Sequence, residues 1–244
     1  MKHIDSANNP LLKTLRRLAH PRKRTPQFLL EGRKLVDAAI DSGIEIDAIV
    51  VSSAYPETNL ANVDSVEIVV VQDALFRQIS TLESPEGILA IATRPRSPSP
   101  VSGLVAVASG IQDPGNLGAI ARVVEASGAN GLVVLKGSAD PFGPKALRGS
   151  MGSLLRVPVC ETADMSPLHA FSKAAIVPRS GDDFRTVSFK APLALVFGGE
   201  SAGLDDATLS QCGARISIPM HGNVESLNVA TAAALILYEA TRHE

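Results

Sequence analysis

Arg122 is the polar residue of this chain whose surroundings point most directly to chemistry. It follows Asn116 by six residues, on an expected helix whose other positions are small or apolar. A guanidinium in such surroundings is expected to be buried or half-buried, and a buried charge requires an anionic partner. Glu200 is the candidate carboxylate within the chain, and a phosphate of a bound ligand is the alternative.

Two apolar runs near the C-terminus each end in a loop of small residues. Residues 193–197 lead into a Gly-Gly-Glu loop at 198–200, and residues 214–218 lead into a Pro- and Gly-containing loop at 219–223. Apolar runs of this length, bounded by Gly and Pro, are typical of buried parallel strands. An open α/β sheet binds its ligand at the carboxyl ends of such strands, so the two loops predict a ligand pocket.

A long apolar helix is expected over residues 229–240. Ser226 and Asn228 precede it, and each could either cap the helix or serve the pocket. The chain has neither a GxGxxG nor a GxxxxGK[ST] motif, and its histidines show no metal-binding spacing. Ser201 lies in a GESAG segment that resembles the nucleophile elbow of hydrolases, so a serine hydrolase is the rival enzyme class.

Apolar periodicity predicts two α/β domains that together position these residues. Three prolines between residues 93 and 100 favour a spacer, which divides the chain into domains 1–93 and 102–244 with a linker at 94–101. In the first domain, strands are expected at 46–51, 66–71 and 87–92, with helices at 8–20, 33–41 and 73–80. In the second, strands are expected at 103–108, 132–135 and 174–177. A helix capped by Asn116 should end at Gly128, and one short helix should lie within residues 140–159.

The charge of the chain is distributed unevenly. Residues 1–34 hold nine Lys or Arg against two acidic residues, which gives +7, so the remaining residues carry −9 of the total of −2. A basic segment on an acidic body is typical of a polyanion-binding arm, although a solvated terminal helix would show the same pattern. Aromatic residues are only 4% of the chain and Trp is absent, so charge rather than base stacking should dominate any RNA binding.

Composition narrows the class of protein further. Cys160 and Cys212 are isolated cysteines, which we interpret as buried thiols rather than a disulfide or zinc site. No apolar run approaches the about 20 residues of a membrane span, and no signal segment is recognisable at the start. We therefore expect a soluble, cytoplasmic protein without a bound metal.

Three segments in order resemble the motifs of the SpoU (TrmH-like) RNA ribose methyltransferases of the SPOUT superfamily. They are Asp113-Pro114-Gly115-Asn116-Leu117-Gly118 with Arg122, the Gly-Gly-Glu loop, and the stretch from Ile218 to Asn228. The segment Gln27 to Gly32 resembles the strand and turn that open the accessory substrate-binding domain found in many SpoU proteins. One departure is Gly199, where many relatives carry Asn.

The resemblance implies a fold and an activity. It implies a small N-terminal α/β RNA-binding domain and a C-terminal parallel-sheet domain with a deep trefoil knot, which periodicity alone would not predict. It also implies methyl transfer from S-adenosylmethionine to a ribose 2′-hydroxyl, with large-subunit ribosomal RNA as the first candidate and transfer RNA as the second. Family enzymes are homodimers. A non-catalytic RNA-binding protein of the same fold is the alternative.

Site residues follow from the matched motif positions. The catalytic set that the resemblance implies comprises Arg122, Asn116, Glu200, Ser226 and Asn228. The cofactor set comprises Leu195, Gly198, Gly199, Ile218, Met220 and Leu227. The basic segment supplies the RNA-binding set of Lys13, Arg16, Arg17, Arg22, Lys23, Arg24 and Arg33. Arg122 could act as a base or as an electrostatic stabiliser, and the second is physically easier because Arg rarely gives up its proton.

Overall fold

The computed structural model describes residues 2–56, 66–95, 99–100, 102–200 and 202–242. Its N-terminal part is a five-stranded sheet with three helices. The elements are β1 (Lys2–Ile4), α1 (Pro10–Ala19), β2 (Gln27–Glu31), α2 (Arg33–Asp41), β3 (Ile46–Ser52), β4 (Ile68–Val71), α3 (Asp73–Ile79) and β5 (Ile88–Thr93). The strand order is β1-β4-β3-β5-β2, in which only β5 runs antiparallel to its neighbours.

Helix α1 forms as its sequence predicts. Asn9 caps it by accepting a hydrogen bond from the backbone N–H of Leu11 at 2.9 Å, and Pro10 occupies the first turn, where no N–H is needed. Leu12, Leu15 and Leu18 are buried against the sheet. The helix therefore docks by its leucines and leaves its cations on the outside.

The C-terminal part is a seven-stranded sheet in which every strand pair is parallel. Its elements are β6 (Leu104–Ser109), α4 (Pro114–Ser127), β7 (Gly131–Leu135), α5 (Pro144–Ser150), α6 (Ser153–Arg156), β8 (Val159–Thr162), β9 (Ser172–Ile176), β10 (Asp182–Asp183), β11 (Leu193–Gly198), α7 (Asp206–Leu209), β12 (Ala214–Ser217) and α8 (Val229–Thr241). The strand order is β10-β12-β9-β11-β6-β7-β8. The mixed α/β class and the parallel C-terminal sheet are thus confirmed.

Alternating residues of β6 face two different layers, as the pleat of a strand requires. Leu104, Ala106 and Ala108 belong to the cluster of buried side chains that includes α4 and α8. Val105 and Val107 face a second cluster formed with the segment 165–171. Burial on both faces explains why this strand appears in the sequence as an uninterrupted apolar run.

Three details differ from the sequence predictions. Asp113, not Asn116, caps α4, because its side chain accepts from the N–H of Asn116 at 3.0 Å. Residues 140–159 contain two short helices, α5 and α6, where one was expected. Cys212 is only half-buried, although Cys160 is buried as expected; both are free thiols, and burial raises the pKa of Cys212.

The two parts of the molecule share a core. One continuous cluster of buried apolar side chains extends from the N-terminal sheet into the C-terminal sheet. Phe28 of β2 and Phe142, just before α5, lie on opposite sides of the junction with ring centroids 5.1 Å apart. Of the expected linker, residues 96–98 and 101 lie outside the described residues. No described helix is long and apolar enough to cross a membrane.

Candidate active site

A pocket of about 580 Å³ lies at the carboxyl ends of β9, β11 and β12. Both loops singled out in the sequence form its walls. Among the residues of the expected cofactor set, Gly198, Gly199, Ile218, Met220 and Leu227 line it. Leu195 does not, because it is fully buried within β11 and packs in the core. The pocket therefore lies at the carboxyl ends of the strands, where open parallel sheets bind their ligands.

Two glycines allow the pocket wall to close tightly. A Cβ atom at Gly198 would lie 2.5 Å from the carbonyl carbon of Gly203, and one at Gly199 would overlap the carbonyl oxygen of Gly110. The backbone of Gly203 has a φ of +65° and its N–H donates to the Gly199 carbonyl at 2.9 Å. This wall is consequently made of backbone rather than side chains, which permits close approach of a flat ligand.

A polar network at the pocket joins three distant segments of the chain. The side-chain amide of Asn116 donates to Glu200 Oε1, and the amide of Asn228 donates to Asn116 Oδ1 at 3.0 Å. Asn228 also caps α8, since its Oδ1 accepts from the N–H of Ala230 at 2.9 Å. Asn116 thus links the start of α4 to both pocket loops instead of capping its own helix.

The start of α4 is held from the other side by α5. Lys145 Nζ donates to Asp113 Oδ2 at 2.7 Å. The hydrogen bond from Lys145, together with that from the N–H of Asn116, holds the pKa of Asp113 below its usual range. Gly118 lets the helices touch, because a Cβ there would lie 2.7 Å from the N atom of Ser150. Sequence reasoning missed Lys145 and the role of Gly118; a glycine inside a helix was the available signal.

Arg122 is exposed on α4, which contradicts the expectation that it is buried. Its side chain makes no hydrogen bond or ion pair with any described residue. Glu200, its expected carboxylate partner, is engaged by Asn116 instead. Arg122 lies one turn after Gly118 on α4, and it is not among the residues that line the pocket. It is available to an anion from outside the chain.

The remaining candidate site residues differ in their positions and contacts. Ser226 is exposed and lines the pocket without capping α8, whereas Asn228 both caps the helix and joins the polar network. Ser201, the hydrolase-like serine, lies outside the described residues. Within the described ranges no group of three His, Cys, Asp or Glu is arranged to hold a metal ion.

The seven expected RNA-binding cations are not equivalent. Arg16 donates to the carbonyl of Ala7 at 2.9 Å, and Arg33 pairs with Asp37 at 2.6 Å. Arg24 pairs with Glu161 at 2.6 Å, across the junction between the two sheets. The side chains of the other four cations are exposed and have no hydrogen-bond or ion-pair partner among the residues that the structure covers. They are Lys13, Arg17, Arg22 and Lys23.

The parallel sheet, the backbone-walled pocket at its strand ends and the polar network define an α/β protein that binds a small ligand. Comparison with known families identifies the family within this class. The model of the SpoU rRNA Methylase family matches residues 103–238, and that of the MRM3-like substrate binding domain matches residues 9–90. The chain belongs to the SpoU rRNA methylase family, which confirms the resemblance seen in its motifs.

Individual relatives match over nearly the whole chain. The chain is 34% identical to an uncharacterized tRNA/rRNA methyltransferase of Synechocystis, over 99% of this chain and 94% of that protein. It is 30% identical to the 23S rRNA (guanosine(2553)-2′-O)-methyltransferase RlmP of Bacillus subtilis, over 98% of each. Among solved structures, an AdoMet-bound rRNA methyltransferase of Sinorhizobium meliloti superposes with a TM-score of 0.87 at 32% identity, covering 99% of this chain and 98% of that one.

Proposed function

We propose that this protein transfers a methyl group from S-adenosylmethionine to a ribose 2′-hydroxyl in RNA, with large-subunit ribosomal RNA as the substrate. The observation that carries the proposal is the backbone-walled pocket, at whose rim one hydrogen-bonded network joins Asn116, Glu200 and Asn228. The relative from Bacillus subtilis is named for this reaction on 23S rRNA. The Sinorhizobium meliloti neighbour is described as AdoMet-bound.

The residues of the pocket suit this cofactor. Gly198 and Gly199 provide a wall into which a side chain would intrude, so the adenosine can lie against peptide groups. Ile218, Met220 and Leu227 offer apolar surface for its ring. Bound there, the cofactor supplies an electrophilic methyl group on a sulfonium.

The side chains of the protein must stabilise the negative charge that develops on the ribose oxygen during methyl transfer. A ribose 2′-hydroxyl is a poor nucleophile until negative charge on its oxygen is stabilised, and an unpaired guanidinium such as that of Arg122 can bind the adjacent phosphate and that developing charge. This role is favoured over that of a base, because a guanidinium rarely gives up its proton. The amides of Asn116 and Asn228, with Glu200 and Ser226, orient the ribose.

RNA would extend from this site onto the N-terminal part of the chain. We assign residues 1–93 to an RNA-engaging domain, 94–101 to a linker and 102–244 to the methyltransferase domain. The four unpartnered cations of the basic segment supply the electrostatic attraction. A trefoil knot in the C-terminal domain and a cytoplasmic location, where ribosomal RNA is modified, belong to the same proposal.

We further propose that the protein is a homodimer that pairs through α8. Leu235 and Tyr238 of this helix are 42% and 52% exposed. They line a groove together with Phe184. Apolar side chains of this size on one helix face favour burial against a second copy.

The experiment that tests the activity combines two measurements on wild type and Arg122→Ala. Calorimetry with S-adenosylmethionine reports the cofactor site, and labelled-methyl transfer to separated ribosomal and transfer RNA reports the reaction and its substrate. We expect both proteins to bind the cofactor and only the wild type to label ribosomal RNA. Labelling of transfer RNA alone would favour the second substrate, in keeping with the tRNA/rRNA name of the Synechocystis relative. Absence of cofactor binding would leave a non-catalytic RNA-binding protein.

A further inference from the structure

Four charged side chains form an ion cluster at the junction between the two sheets. Arg94 donates to Asp140 at 2.8 Å and to Glu161 at 2.7 Å, and Arg24 reaches the second oxygen of Glu161 at 2.6 Å. The guanidinium of Arg94 also lies 5.0 Å above the ring of Phe142. Burial lowers the pKa of Arg94, but the hydrogen bonds and charges of Asp140 and Glu161 outweigh burial and raise it.

Arg24 fixes an exposed basic turn, which we define as residues 21–24, to the C-terminal sheet. Besides pairing with Glu161, it donates to the carbonyls of Ser138 and Ala139 at 3.0 and 3.2 Å. Arg94 holds the residues that follow the turn, through the carbonyl of Thr25 at 3.1 Å. A guanidinium can satisfy several acceptors in a fixed plane, so the turn is held in one orientation.

The loop that receives Arg24 is connected to the pocket through a second loop. The N–H of Ala139 donates to the carbonyl of Ile111 at 2.8 Å, and Ser138 Oγ donates to the carbonyl of Ala108 at 3.1 Å. The neighbouring carbonyl, that of Gly110, packs against Gly199 in the pocket wall. The basic turn is therefore connected to the pocket through two loops, the first at residues 138–139 and the second at residues 108–111.

The charge that the turn presents to solvent comes from two residues. Within the ion cluster two cations face two carboxylates, so Arg24 and Arg94 are neutralised. Arg22 and Lys23 are exposed and contact no hydrogen-bond or charge partner in the part of the chain that the structure describes. The turn thus presents two unneutralised cations to solvent.

We propose that Arg22 and Lys23 bind RNA phosphate groups flanking the target ribose, and that Arg24 is a positioning residue that registers this contact with the pocket. The inference rests on the proposed function and goes beyond it, because it divides three consecutive cations into two roles. Contacts from Arg22 and Lys23 determine RNA affinity. The ion cluster determines where the bound ribose lies.

The two roles predict different effects of substitution, one on RNA affinity and the other on kcat. Removing both phosphate contacts, as Arg22→Gln with Lys23→Gln, should weaken RNA binding about 10-fold and reduce the salt dependence of log Kd by about 1.4, since each contact to single-stranded RNA contributes about 0.7. Lys190→Gln is the matched control. It removes an exposed lysine that lies before the amino end of β11, whereas the pocket lies at the carboxyl end, and it should leave both quantities unchanged.

Arg24→Lys tests the positioning role, because it keeps the charge and loses the planar donor fork. RNA affinity should stay within about twofold of wild type while kcat for RNA methylation falls about 10-fold or more, since small misplacements of a reacting group are costly. Cofactor affinity should not change. Glu161→Gln breaks the same cluster from the other side with the turn intact and should show the same split.

Either of two results would overturn the proposal. One is a double variant whose RNA affinity and salt dependence equal those of Lys190→Gln. The other is an Arg24→Lys protein with wild-type kcat, or with an RNA affinity that falls as far as its kcat. Failure of the proposed function would look different, because the wild type would then transfer no methyl group, while the binding measurements would still decide whether the turn holds RNA.

Discussion

Replacing Gly198 by alanine tests whether the pocket is shaped by backbone contact. The new Cβ would lie 2.5 Å from the carbonyl carbon of Gly203 and 2.7 Å from the N atom of Leu204. Both are main-chain atoms of the same pocket wall, so no side chain can rotate away to make room. The peptide between Gly203 and Leu204 must therefore move.

The size of that movement follows from the contact distances. Ordinary contacts of a Cβ begin at 3.4 Å, so the wall must retreat by about 0.9 Å, the difference between 3.4 and 2.5 Å. Overpacking of this kind costs about 1–3 kcal/mol. The reduced freedom of the unfolded chain offsets only about 0.4–1 kcal/mol. We expect cofactor affinity to fall about 10-fold, which corresponds to about 1.4 kcal/mol.

The assay is calorimetric titration with S-adenosylmethionine, with the melting temperature measured on the same samples. Gly213→Ala is the matched control, because a Cβ there has no neighbour within 4 Å and its backbone is outside the left-handed region. That variant should bind the cofactor like the wild type. Equal cofactor affinity for Gly198→Ala and Gly213→Ala would refute the argument that this close approach forms the site.

Three further predictions concern charge, orientation and assembly. Arg122→Ala should lower kcat for RNA methylation by about 100- to 1,000-fold at unchanged cofactor affinity, because a preorganised donor to developing charge is lost; single-turnover methyl transfer measures it. Asn228→Asp should keep the cap of α8 and lose the amide that reaches Asn116, so activity should fall while the melting temperature holds. Asn228→Ala should in addition lose about 1 kcal/mol of stability on denaturant unfolding. Leu235→Lys should convert the proposed dimer to a folded monomer in sedimentation experiments, because it places a charge in an apolar interface.

Each of these predictions has an outcome that contradicts it. Full activity of Arg122→Ala would remove this residue from catalysis, and Arg122→Lys should give an intermediate rate if charge is what matters. Wild-type transfer by Asn228→Asp would mean that its amide serves only the helix. If the wild type sediments as a monomer at high concentration, or Leu235→Lys remains a dimer, then α8 is not the interface.

The local pattern of apolar, glycine and proline residues was enough to predict most helices and strands of this fold and the two loops that form its pocket. The strands β6, β7 and β11 are short apolar runs whose two faces are both buried, and such runs show directly in the sequence. Helix α1 shows as leucines at helical spacing, and Gly128 ends α4 in the left-handed conformation at φ 77°. The basic segment could also be identified from the sequence, because the charge of a Lys or Arg side chain follows from the residue type alone.

Tertiary structure alone decided what the polar residues do. Asn116 and Glu200 are 84 residues apart, and Asn116 and Asn228 are 112 apart, so no local periodicity contains their hydrogen bonds. Arg122 was expected to be buried from its apolar neighbours on one helix, yet burial depends on which helix packs beside it. Arg24 cannot be distinguished from Arg22 by sequence, because its acceptors lie 114 and 115 residues away. Residue types fix what chemistry is possible, and only the packing of distant segments decides which group remains free to perform it.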